Sequence, residues 1–111
     1  MKNRPFPLRF LIKGALWRVK FKKNLKDDGE PCQGLTDTAS RLILIDADIK
    51  SPHLDWVFWH EYCHGLLHES GVTGNSGGIS ELAEEIICDN YADSMVRDKR
   101  VKWKRMRKAD Y

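Results

Sequence analysis

Residues 51–71, from Ser51 to Gly71, read SPHLDWVFWHEYCHGLLHESG. Ser51-Pro52 forms a helix start, with Ser51 as the expected N-cap and Pro52 at the first helical position, where a missing N–H does no harm. Asp55 falls in the first turn, at the positive end of the helix dipole. Trp56, Val57, Phe58, Leu66 and Leu67 supply packing surface. The helix is expected to reach Glu69 or Ser70, and Gly71 is placed to stop it.

A helix here organises the chain on both sides. Upstream, Arg41 to Ala47 (RLILIDA) is short, branched and apolar, the pattern of a strand. Leu8 to Lys13 and Leu16 to Lys22 also read as strands, with Leu16, Arg18, Lys20 and Lys22 interleaving with Trp17, Val19 and Phe21. Gly14 between them suggests a tight turn. Asn24 to Gly34 reads as a polar loop and Thr36 to Ser40 as a turn.

Downstream, Gly74-Asn75-Ser76-Gly77-Gly78 is a flexible loop that lets the chain fold back. Ser80 then caps a second helix, from Glu81 to about Arg97 or beyond. Strands followed by helices predict an α+β fold. The expected architecture is a small N-terminal antiparallel or mixed β-sheet packed on the first helix and on a second, glutamate-bearing helix. Residues 1–96 form one expected domain, and 97–111 a basic C-terminal tail or helix extension.

The chain has 111 residues, which fits a single domain. Its net charge of +3 conceals an asymmetry. Arg97 to Tyr111 holds eight Lys/Arg against Asp98 and Asp110, a surplus of +6, so the body carries −3. No apolar run approaches the roughly 18 residues that would span a bilayer, so no membrane partner is expected. Met1 to Phe10 lacks the apolar region of a signal peptide. Cys32, Cys63 and Cys88 are odd in number and widely spaced, unlike a disulfide framework. A cytoplasmic location is expected.

The chemistry concentrates in His60-Glu61-Tyr62-Cys63-His64. On a helix, positions i and i+4 share a face, so His60 and His64 can reach one ion. Zinc accepts neutral imidazole. Glu61, about 100° around the helix, overlooks the ion without ligating it and can act as general base toward a metal-activated water. A hydrolytic zinc needs a third protein ligand and an open position. His68 continues the row, but eight residues of helix rise about 12 Å, too far for one ion. The remaining candidates lie on the second helix: Glu81, Glu84, Glu85 and Asp89. Glu85 and Asp89, again i and i+4, offer one carboxylate for the metal and another to hold a histidine ring. Cys63 and Cys88 read as small packing residues. Tyr62 and Tyr91 are candidate oxyanion donors.

From Trp59 to Asp89 the chain resembles the gluzincin metallopeptidases, in which HExxH is followed by a glutamate in an E-x-x-x-D arrangement on the next helix. Its size and the strands before the motif are similar to the single-domain minigluzincins and to small metallopeptidases encoded by bacteriophages. The resemblance implies one zinc ion held by His60, His64 and Glu85, with Glu61 as general base and Asp89 behind a ligand. It implies hydrolysis of a peptide or protein substrate, with Arg41–Ala47 as the strand beside the cleft. A second reading is a non-enzymatic, metal-stabilised binding module. In that reading the basic C-terminal tail, with Trp103 among its cations, contacts nucleic acid or an acidic partner.

Overall fold

The computed structural model describes residues 6–73 and 78–109, with side chains described for 6–73 and 78–97. Among the described residues, six strands precede two helices: β1 Arg9–Ile12, β2 Ala15–Lys22, β3 Lys26–Asp27, β4 Glu30–Pro31, β5 Gly34–Asp37, β6 Leu42–Asp46, α1 His53–Glu69 and α2 Glu81–Ala109. This is an α+β fold with a mixed four-stranded sheet in the order β1-β2-β6-β5. β1 and β2 pair antiparallel, β2 and β6 parallel, and β5 and β6 antiparallel.

The alternation read in the sequence sets the sheet's two faces. Trp17 and Val19 of β2 and Ile43 and Ile45 of β6 point into the core, where Trp17, Ile43 and Ile45 are fully buried. Leu54, Val57 and Phe58 of α1 pack onto that face, with Phe6 stacked on Phe58 at 4.0 Å between ring centroids. The far end of α1 is tied to the sheet by charge. Trp17 Nε1 donates to Glu69 Oε2 at 2.8 Å, and Arg41 Nε donates to the same oxygen at 2.6 Å. The Arg41 hydrogen bond, more than the Trp17 one, holds the Glu69 carboxyl below its ordinary value.

Four local expectations are corrected. α1 begins at His53, with Pro52 rather than Ser51 as its cap and no side-chain cap bond. Backbone serves instead: the N–H of Leu54 donates to Lys50 O and that of Asp55 to Pro52 O. The expected loop 24–34 contains a small hairpin, β3–β4, turning at Asp28-Gly29, both with positive φ. The expected turn at Thr36 to Ser40 begins inside a strand, because Thr36 and Asp37 pair with Ile43 and Leu42. That extra strand has a topological consequence. β6 has neighbours on both sides, so Arg41–Ala47 is not the strand beside the cleft; the sheet edge belongs to β5.

The two helix ends behave as read. Gly71, with φ 76°, closes α1 in a Schellman arrangement: Gly71 N–H donates to His68 O, and Val72 N–H to Leu67 O. Ser80 Oγ accepts from Ala83 N–H at 3.1 Å and caps α2. Residues 74–77 of the glycine-rich loop lie outside the described residues. α2 continues as helix to Ala109, so the backbone of the basic stretch extends the helix, while its side chains past Arg97 are not described. Among the described residues, no helix is long and apolar enough to cross a membrane.

Candidate metal centre

α2 lies against α1 through small residues. Cys88 and Ala92 are fully buried, as is Cys63 on the facing helix. Short side chains let the two backbones approach, so carboxylates one turn along α2 reach the histidines of α1. Trp56 Nε1 donates to Asp93 Oδ1 at 2.9 Å and fixes the sliding position of one helix on the other.

The result is a convergence of three donor groups. His60 Nε2 and His64 Nε2 stand 3.2 Å apart. Glu85 presents Oε1 to His60 Nε2 at 3.2 Å and Oε2 to His64 Nε2 at 3.1 Å. Among the described residues, His60, His64 and Glu85 are the histidine, cysteine or acidic side chains that bring three ligand atoms within 4.8 Å of one another. Ligands about 2.0–2.1 Å from a tetrahedral zinc would stand about 3.3 Å apart, close to the separations found.

The other ring nitrogens explain why a cation fits. His64 Nδ1 lies 2.5 Å from Glu84 Oε2, and a carboxylate there demands a donated proton from Nδ1. His60 Nδ1 lies 3.0 Å from Asp89 Oδ1, close enough for an ion pair but off hydrogen-bond geometry. The Glu84 bond places the His64 proton on Nδ1, and the Asp89 carboxylate beside His60 Nδ1 favours the same tautomer there, so that two Nε2 lone pairs and a carboxylate face one another. Such an arrangement repels itself unless a proton or a metal ion sits between them. Burial opposes a charged His64, but the Glu84 hydrogen bond and the Glu61, Glu85 and Glu84 carboxylates outweigh it and raise its pKa.

Glu61 is buried on the neighbouring stripe of α1, 7% exposed. Thr36 Oγ1 lies 2.7 Å from its Oε1. Burial raises the Glu61 pKa, against the lowering effect of Thr36 and of the two histidines. A cavity of about 350 Å³ opens over these groups, lined by His60, Glu61, His64, Glu84 and Glu85 on the helices and by Asp27, Gly34, Leu35, Thr36 and Thr38 opposite.

The expected residues thus separate by position. His60, His64 and Glu85 come together, Glu61 flanks them, and Asp89 stands behind His60. Glu84, an alternative ligand in the sequence, stands behind His64 instead. Glu81 is exposed outside the cluster, and His68 is exposed at the end of α1. Tyr62 and Tyr91 stack on each other at 6.2 Å and do not line the cavity; burial pushes the Tyr91 hydroxyl up to about 12. Thr36 is hidden in the sequence, because Thr36-Asp37-Thr38-Ala39-Ser40 holds no large apolar residue and its Asp and Ser favour a turn. No family model matches the chain, and neither a curated protein nor a solved structure matches it.

Proposed function

We propose that the protein is a zinc-dependent peptidase in which His60, His64 and Glu85 hold one ion and Glu61 is the general base. The observation that carries this reading is the convergence of two Nε2 atoms and a Glu85 carboxylate at 3.1–3.2 Å, beside a buried Glu61 in an open cavity. Bound zinc would supply a Lewis acid, polarising a substrate carbonyl and acidifying water. Glu84 orients the His64 imidazole through a hydrogen bond to its far nitrogen, and Asp89 sets a carboxylate beside the far nitrogen of His60. Glu61 takes a proton from the attacking water and returns it to the departing nitrogen.

A peptide substrate is supported by the sheet. β5 is an edge strand, and Gly34, Leu35 and Thr36 line the cavity. Its unpaired backbone groups suit an extended chain lying alongside. The same reading has the enzyme working in the cytoplasm, in keeping with Cys32, Cys63 and Cys88 as free thiols.

The test is Glu61→Gln, which keeps the shape and removes the base. The variant should retain zinc and lose cleavage of unfolded casein by about 100-fold or more. Unchanged turnover would remove Glu61 from the mechanism. A zinc-loaded native protein that cleaves neither casein nor a peptide library would overturn the peptidase reading.

A further inference from the structure

A buried carboxylate must be fastened by something other than water. Glu61 sits on a helix whose own neighbours at the site are two histidines and more carboxylates. Its hydrogen-bond donor comes from the sheet. Thr36 Oγ1 lies 2.7 Å from Glu61 Oε1 and 3.0 Å from the Glu61 carbonyl oxygen. The hydroxyl has one proton to give. The carbonyl oxygen already faces the helical ladder of α1, and the shorter contact is to the charged oxygen, the stronger acceptor. The proton therefore goes to the carboxylate.

Gly34 completes the arrangement from two residues upstream, on the same face of β5. A Cβ at that position would stand 2.8 Å from Val57 Cγ1, 2.9 Å from Glu61 Cγ and 3.0 Å from Glu61 Oε2. No side chain fits there without pushing something aside. The carboxylate thus has one oxygen on Thr36 and the other over the bare backbone of Gly34. The strand under it is anchored in the core, since Gly34 pairs with Ile45 and Thr36 with Ile43, both fully buried.

We propose that Gly34 and Thr36 of the edge strand form a seat that holds the Glu61 carboxylate in one orientation, with Thr36 a positioning residue for the base. The catalytic consequence rests on the peptidase reading; the seat itself does not. Thr36 takes no part in the reaction. It fixes one carboxylate oxygen so that the other is left to serve water.

Thr36→Val keeps the β-branched shape and removes the hydroxyl, and Thr36→Ser keeps the hydroxyl. Crystals of each zinc-loaded variant would report the Glu61 side chain, and a quenched casein-derived peptide would report turnover. We expect Thr36→Val to bind zinc like the native protein, show Glu61 in more than one rotamer, and lose about 10- to 100-fold in kcat with KM nearly unchanged. Thr36→Ser should restore a single rotamer and most of kcat. A single native-like Glu61 rotamer in Thr36→Val overturns the seat, whether or not the native protein cleaves any peptide. A mobile Glu61 with native kcat overturns the positioning role. Should Thr36→Val fail to fold, Thr36→Ala, which also removes the hydroxyl, takes its place and is read by the same two measurements, with the same outcomes for and against.

Discussion

Glu84 Oε2 lies 2.5 Å from His64 Nδ1, and that contact decides which ring nitrogen keeps its proton. Removing the charge while keeping the shape should loosen the imidazole without taking away a ligand. Glu84→Gln is expected to weaken zinc binding by about 10- to 100-fold, measured by competition with a chromophoric chelator. An affinity equal to the native value would show that Glu84 does not orient the ring. His60, Glu61 and His64 were legible from sequence because a single helix and its period fix their relation. Glu84 and Glu85 were not separable, because adjacent residues differ only in how α2 is rotated against α1. That rotation is set by Cys63, Cys88, Ala92 and the Trp56–Asp93 bond, none of which carries a visible instruction.

At the scale of elements, the legible parts are those with local causes. Gly71 ended α1 because a φ of 76° is a conformation that disfavours any residue with a Cβ. Gly71→Ala is expected to cost about 1–2 kcal/mol, read by urea unfolding, with zinc affinity unchanged. Native stability in that variant would mean the Schellman end contributes nothing. β5 was illegible for the opposite reason. Gly34-Leu35-Thr36-Asp37 has a single branched apolar residue and two turn formers, so its local preference is not for a strand. It is extended because β6 offers an unpaired edge and α1 leaves room only for a glycine at position 34. Because β5 lacks a strand signal, the donor to Glu61 is not visible in the sequence, and Arg41–Ala47, which the resemblance implies as the strand beside the cleft, holds an inner strand instead.

For the whole molecule, metal, protons and folding are linked. His64 and Glu61 both have pKa values raised above their ordinary 6.5 and 4.5. A raised pKa favours the folded state at low pH, and that contribution is lost as pH climbs through the folded value. The metal-free protein should therefore lose stability as pH rises, above about 4.5 through Glu61 and further above about 6.5 through His64. Zinc requires His64 without its Nε2 proton, so the stabilisation it gives should grow over the same window. At a free zinc concentration 100 times Kd that gain is about 2.7 kcal/mol. Melting curves across pH, with and without zinc, should converge in acid and diverge above neutrality. Parallel curves would show that the histidines titrate independently of the metal.

The coordination itself is read most directly by the zinc K-edge X-ray absorption spectrum of protein loaded to one equivalent. We expect nitrogen and oxygen neighbours alone, at about 2.0–2.1 Å, with the outer-shell pattern of two imidazoles, and loss of one oxygen neighbour in Glu85→Ala. Failure to take up one zinc per chain, or a sulfur neighbour near 2.3 Å from Cys63 or Cys88, would contradict the site described above.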